Sequence, residues 1–386
     1  MNKLQRSDVG SLLNDIAQSL DISDNLFEEA ERKYRAVGSW LGDENSPLAT
    51  YSPEIYPQGS FRLGTVIKPL NDADDYDIDV VFELTLAKEK ITQHGLKNLV
   101  GDRLKANEVY RRMLDDEGRR CWTLQYADGA KFHLDILPAI PDLNFQAVLQ
   151  EKGLPYTWAG TSIAITDNTL PNYDQIDPGW PRSNPKGYAI WFQRQMIVQY
   201  NELRKHLAES LKAEVERVPD YRIKTPLQRC IQLLKRNRDI RFEHDQENKP
   251  ISIIISTLAA HSYGNEADIV DALINIVDRM PNYISIRDGR FWVQNPVNPL
   301  ENFADRWQEH SQCEQKLRAW LRELAVALDE VLECDDIDKV SRLLESLFGE
   351  KVAMATVLEF KESIFAKGKP TYPVVTIVNP NKPWRF

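Results

Sequence analysis

Cysteine is scarce and scattered: Cys121, Cys230, Cys313 and Cys334 lie far apart, with no Cys-x-x-Cys pair and no nearby histidine. That spacing offers neither a zinc site nor a disulfide framework, and reduced thiols are expected. No apolar run approaches the roughly 18 residues a membrane span needs, and the opening MNKLQRSDVG lacks the apolar segment of a signal peptide, so no membrane association and a cytoplasmic location are expected. Basic charge is also in deficit, with a net charge of -10. Tracking a long nucleic acid requires many phosphates to be neutralised by Lys and Arg, so none is expected as a partner. Internal repeats and low-complexity segments are missing too. What remains is an ordinary globular composition, 42% apolar over 386 residues, long for one domain and comfortable for two.

The segment DNLFEEAERKYRAVGSWL, 24 to 41, sets Leu26, Phe27, Ala30, Tyr34, Val37 and Leu41 at helical spacing behind a Ser23/Asp24 cap. It reads as a long helix bracing a sheet. After it comes QGSFRLGTVIKPLNDADDYDIDVV, from 58 to 81, where a Gly-Ser turn precedes Asp77 and Asp79. In a strand from Asp77 to Leu84, those two carboxylates share one face while Ile78, Val80 and Phe82 enter a core. Asp72, Asp74 and Asp75 read as an acidic turn ahead of that strand.

Next, CWTLQYADGAKFHLDILPAI alternates twice around Asp128-Gly129, a turn pair that signals a β-hairpin. On its second arm Phe132, Leu134 and Ile136 point one way, and His133 and Asp135 the other. Asp135 is then a third carboxylate on a strand expected beside the first. A Pro-, Asn- and Gly-rich linker spans about 141 to 188; Trp180, Trp191 and Phe192, in WPRSNPKGYAIWF around its end, suit packing between the lobes better than base stacking. Helical periodicity follows at 189 to 217, 225 to 240, 250 to 263, 266 to 279, and 310 to 348 in two pieces. The expected division is a catalytic lobe at 1–188, a helical lobe at 189–366 and an extended, proline-rich tail at 367–386.

Three aspartates on adjacent strands suit two metal ions about 4 Å apart, the arrangement for in-line phosphoryl or nucleotidyl displacement. Gly59 and Ser60 suit the other end of such a substrate, because glycine admits phosphate close to the backbone and the hydroxyl donates to it. A lone Asp-x-Asp is more often a solvated loop. The apolar alternation around Asp77 and Asp79, with Gly-Ser upstream and Asp135 downstream, argues for metal. His133 reads as a neighbour of the carboxylates, since two-metal chemistry needs no imidazole.

In this order the motifs resemble the polymerase-β-type nucleotidyltransferases, and more narrowly the bacterial cGAS/DncV-like enzymes, the CD-NTases. The resemblance rests on QGSFRLGT, DYDIDVV, FHLDILPAI, WPRSNPKGYAIWF, PLQRCIQLLKRNRDIRF and KPISIIISTLAAHSY, together reaching from about residue 56 to 263. It implies an α+β fold, a polymerase-β-like lobe with a mixed sheet and a C-terminal helical lobe, with the active site in the cleft between them. It implies joining of ATP, GTP or both into a cyclic di- or trinucleotide, with Mg²⁺ (two ions, Mn²⁺ as a substitute) on Asp77, Asp79 and Asp135. The product would be read by a cyclic-nucleotide-responsive effector in anti-phage defence, and a regulatory protein could engage the C-terminal tail.

By the same resemblance Gly59 and Ser60 grip the triphosphate, Asp135 orients and deprotonates the attacking ribose hydroxyl, and Lys235 and Ser252 contact phosphate from the helical lobe. Ser256, one turn after Ser252, is an alternative to it. Gln58 and Arg62 are further candidates for the nucleotide, against a turn-stabilising amide for Gln58 and a brace of the acidic loop for Arg62. The competing functions are a nucleotidyltransferase acting on RNA, protein or a small molecule, and a catalytically silent nucleotide-binding scaffold. The chain lacks the His/Cys ribbon of the animal DNA sensor in this superfamily, so DNA is not expected as the trigger.

Overall fold

The computed structural model describes residues 4–71, 76–126, 132–211, 223–310 and 312–367. The acidic turn at 72–75, the Asp128-Gly129 turn and the tail from 368 onward lie outside them.

Alternating apolar residues build a six-stranded mixed sheet from β1 (Glu54–Pro57), β2 (Tyr76–Glu83), β3 (Trp122–Tyr126), β4 (Phe132–Pro141), β5 (Ile163–Ile165) and β6 (Arg182–Ser183). The order is β1-β2-β4-β5-β6, with β3 also paired to β4. β2 and β4 run parallel, and β3 returns antiparallel to β4, as a hairpin requires. Ile78, Val80 and Phe82 of β2 and Phe132, Leu134 and Ile136 of β4 are buried in one core. Each such side chain contributes about 1.5–3 kcal/mol.

The helix expected at 24–41 forms as α2 (Asp24–Leu41), capped by Ser23 Oγ accepting from the Leu26 N–H. Its buried residues Ala30, Tyr34, Val37 and Leu41 follow helical spacing and join that core. Below the sheet it is joined by α4 (Gln93–Lys105), through Leu96, Val100 and Leu104, with α5 (Glu108–Met113) leading into β3. Between β1 and β2 stands the short α3 (Gly59–Leu63).

The helical half contains α8 (Pro185–Leu211), α9 (Pro226–Arg241), α10 (Ser252–Ser262), α11 (Ile269–Arg279), α12 (Cys313–Glu333), α13 (Ile337–Phe348) and α14 (Glu350–Lys367). Thr225 and Gln228 form a capping box and Pro226 fills the first turn of α9, which fixes where that buried helix starts. Trp191 and Phe192 are buried in the helical core and Trp180 in the sheet core, each in the core of one half, where packing between the lobes was expected.

Three expectations need correction. The first helix, α1 (Arg6–Ser19), buries Val9, Leu12, Leu13 and Ile16 among the helices of the other half, so the catalytic lobe does not begin at residue 1. The stretch read as a linker contains α6 (Leu143–Glu151), α7 (Tyr156–Ala159) and the two strands β5 and β6 that extend the sheet. Its all-buried Ile163-Ala164-Ile165 gives no alternation to read. Between α11 and α12, where no element was expected, stand β7 (Ser285–Arg287), β8 (Arg290–Trp292), β9 (Gln294–Asn295) and β10 (Asn298–Asn302) in two small antiparallel ribbons.

Candidate active site

Parallel pairing of β2 with β4 sets Asp79 opposite Asp135, and Asp77 opposite His133. The three carboxylates therefore share one face of two neighbouring strands, away from the core. Asp79 is pushed up to about 6, first by burial and then by repulsion from Asp135 and Asp77. Asp77 is exposed, and the His133 Nδ1 stands 4.0 Å from its Oδ1. Asp135 Oδ1 accepts a 2.5 Å hydrogen bond from the Thr123 hydroxyl, across the β3–β4 pair. Thr123 was not singled out from the sequence, because its role depends on the register that places it opposite Asp135.

The Gly-Ser turn meets Asp79 directly. The Gln58 N–H donates to the Asp79 carbonyl at 2.8 Å, and Gly59 has φ +59°. A Cβ on Gly59 would come within 2.9 Å of Asp79 Oδ2. Ser60 is half-buried on α3, and its carbonyl accepts from the Thr65 N–H at 3.0 Å. Arg62 donates to the Pro57 carbonyl at 3.3 Å and lies over the Tyr56 ring, with its pKa lowered by burial.

A cleft of about 250 Å³ is lined by Gln58, Gly59, Arg62 and Asp79 on one side and by Tyr188 and Glu301, among others, on the other. Both halves of the chain thus face Asp79, while Asp77, Asp135 and Ser60 stand outside the lining of this cleft. A larger cavity, about 360 Å³, opens against Phe27, Tyr34 and Phe192 and contains none of the three aspartates.

Lys235 and Ser252 stand apart from the lining of this cleft. Lys235 is buried, and its ammonium donates to the Thr65 carbonyl at 2.9 Å and hydroxyl at 3.2 Å. Burial, then Arg238, lowers its pKa to about 7. Ser252 Oγ accepts from Arg238 Nη1 at 3.0 Å, and Ser256 is buried. Neighbours of Lys235 bind the same segment: Gln228 donates to the Leu63 carbonyl, Lys224 to that of Gly64 and Gln232 to that of Val66, at 2.7 to 2.9 Å. Successive backbone acceptors from Leu63, the last residue of α3, to Val66 are therefore fastened to the helical half.

Carboxylate oxygens are the hard donors that Mg²⁺ or Mn²⁺ takes, and the mutual repulsion on Asp79 is what a cation would relieve. As the side chains stand, no three Asp, Glu, His or Cys among the described residues are already gathered into a coordination set. The strand register supplies the donors, and binding would have to draw them together.

Comparison with known proteins agrees with this geometry. Residues 53–138, which hold the turn and all three aspartates, match the model for the nucleotidyltransferase domain of cyclic GMP-AMP synthase DncV-like proteins. A c-di-GMP synthase of Roseivirga ehrenbergii is 30% identical over 337 residues, covering 86% of this chain and 82% of that protein. The cyclic dinucleotide synthase CdnG of Bradyrhizobium diazoefficiens is 26% identical over 364 residues, covering 92% and 83%. Its solved structure, a complex with GTP, superposes with a TM-score of 0.69 at 22% identity over 92% of this chain and 99% of that one. The E. coli MS115-1 CdnC:HORMA-deltaN complex shares the fold at a TM-score of 0.60 and 14% identity, covering 90% and 98%. With its carboxylate register, its glycine turn and a relative of this identity along most of its length, the chain belongs to the DncV-like nucleotidyltransferases, the CD-NTase family of cyclic-oligonucleotide-forming enzymes.

Proposed function

We propose that the protein joins two nucleoside triphosphates, at least one of them GTP, into a cyclic dinucleotide and releases pyrophosphate at each of the two linkages. The observation that carries the reading is Asp79 opposite Asp135, with Gly59 against Asp79. Support for guanine comes from the c-di-GMP synthase relative and from CdnG with its bound GTP. ATP remains the second candidate substrate.

In this reading Gly59 and Ser60 receive the triphosphate, where the missing Cβ leaves room and the hydroxyl can donate. Asp77, Asp79 and Asp135 would hold two divalent ions, Mg²⁺ or Mn²⁺, which when bound would supply Lewis-acid stabilisation of the phosphates and a lower pKa for the attacking hydroxyl. Asp135, oriented by Thr123, positions the attacking ribose hydroxyl and takes its proton. Gln58 and Arg62 line the nucleotide's cleft. Lys235 and Ser252 act from the helical half, Lys235 through Thr65 and by direct contact with phosphate when the cleft closes.

The product serves as a signal for an effector in anti-phage defence, in the cytoplasm. No helix among the described residues is long and apolar enough to cross a membrane. The CdnC complex with a HORMA protein supports a regulatory protein partner, for which the C-terminal tail is the candidate handle.

The test is incubation of the purified protein with each α-³²P nucleotide, the other three nucleotides and Mg²⁺, followed by phosphatase and chromatography with mass detection. A phosphatase-resistant guanine-containing cyclic dinucleotide is expected. Label transferred only to RNA, protein or a small-molecule acceptor would overturn the reading.

A further inference from the structure

The cleft that contains Asp79 has a carboxylate on its opposite wall. Glu301, on β10, lines the same cleft as Gln58, Gly59 and Asp79, and the nucleotidyl transfer described above does not use it. Two amides hold it in place: Asn295 Nδ2 donates to Glu301 Oε2 at 2.8 Å and Asn298 Nδ2 at 3.2 Å. Neither amide is free to turn round. Asn295 Oδ1 accepts the Val297 N–H at 2.9 Å, and Asn298 Oδ1 accepts the Leu300 N–H at 3.2 Å.

Glu301 is thus approached by donors alone, which suits an ionised acceptor. Its Oε1 accepts from none of the described residues, and burial raises the pKa of the group. Holding a largely buried carboxylate with spare acceptor capacity is costly unless a ligand uses it.

The same cleft has aromatic walls. Tyr188 and Phe303 both line it, their ring centroids 6.2 Å apart in an edge arrangement, and the Tyr188 hydroxyl is anchored on Thr257 at 2.8 Å. Flat apolar surface beside an oriented acceptor is what a purine base requires.

We propose that Glu301 is a base-selecting residue that accepts the N1–H and 2-amino hydrogens of guanine, so that this cleft takes a guanine nucleotide in preference to an adenine one. Guanine offers two adjacent, nearly parallel donors on its Watson–Crick edge, which the unengaged Oε1 can accept together while Oε2 stays on the two asparagines. Adenine turns the N1 lone pair toward the same place, and inosine keeps N1–H but lacks the amino group. A site whose buried acceptor is left unpaired rejects the wrong base strongly. The inference rests on the guanine-nucleotide reading above and sharpens it to one residue.

The test is competition binding of non-hydrolysable GTP, ITP and ATP analogues to the full chain with Mg²⁺, for the native protein, Glu301→Gln and Glu301→Ala. The native protein is expected to prefer the GTP analogue over the ATP analogue by at least tenfold, with the ITP analogue between. Glu301→Gln, which still accepts from both asparagines, should cut that ratio at least tenfold with its melting temperature retained. A merely structural Glu301 would leave the ratio unchanged, and an unchanged ratio in Glu301→Gln overturns the proposal whatever Glu301→Ala does to folding. Equal affinity of the native protein for the two analogues overturns it as well. Since binding is read without turnover, selectivity that depends on Glu301 in a protein making no cyclic product would sink the synthase reading and leave this one standing.

Discussion

Gly59 stands close enough to Asp79 to exclude a side chain: a Cβ placed on Gly59 would lie 2.9 Å from Asp79 Oδ2. The turn that receives phosphate and the carboxylate that receives metal are therefore one mechanical unit, joined also by the Gln58 N–H on the Asp79 carbonyl. Gly59 also stands at φ +59°, where a side chain costs about 1–2 kcal/mol. Gly59→Ala should push the turn and the carboxylate apart, lowering the rate of product formation at least tenfold while the protein stays folded by circular dichroism. Unchanged turnover would show that the close approach has no catalytic importance.

Asp79 binds its proton more tightly in the folded protein, at about 6, than a carboxyl does in an unfolded chain, near 4. A group with a raised folded pKa penalises the fold once ionised. Metal-free protein should therefore gain stability as pH falls from above 6 toward about 4, by at most roughly 3 kcal/mol and less where solvent reaches the side chain. Asp79→Asn should flatten that part of the curve, measured by denaturant unfolding in EDTA across this pH range. Parallel curves for the two proteins would contradict the assignment of the strain to Asp79.

Thr123 donates to Asp135 from the neighbouring strand at 2.5 Å. If that bond orients the residue that takes the hydroxyl proton, Thr123→Val lowers kcat about tenfold with KM little changed, and Thr123→Ser restores it. A rise in KM alone, or no rescue by serine, would assign Thr123 to packing.

Lys235 is a buried cation whose hydrogen bonds go to Thr65. Its pKa, about 7 in the fold, lies below that of an unfolded lysine, so the cost of its charge is complete below pH 7 and fades as pH rises toward about 10. Lys235→Met removes that charge but orphans the Thr65 carbonyl, two effects that oppose each other. Stability at pH 7 should change by no more than about 2 kcal/mol, while KM for the nucleotide rises at least tenfold. An unchanged KM would confine Lys235 to bracing Thr65.

The carboxylate face was legible because a strand repeats every two residues: Ile78, Val80 and Phe82 point to the core, and Asp77 and Asp79 must then face away. Alternation around Asp135 gave the second strand by the same rule. Register was not legible, so Thr123 escaped notice. The apolar stripe of α1, Val9, Leu12, Leu13 and Ile16, marks a helix but not which helices it packs upon, and it docks on the half farthest from it in sequence. Glu301 lies in ribbons of two to five residues ordered by asparagine side chains, too short for any period to declare itself. For Lys235 the motif implies phosphate but could not announce its hydrogen bonds to the Thr65 carbonyl and hydroxyl, contacts between residues 170 positions apart.

The decisive comparison is product formation by the native protein, Asp79→Asn and Asp135→Asn from GTP, ATP and Mg²⁺, resolved by chromatography and mass after phosphatase. A cyclic dinucleotide from the native protein, absent from both folded variants, is the expected result. Undiminished product from either variant would contradict the assignment of the chemistry to the β2–β4 carboxylates.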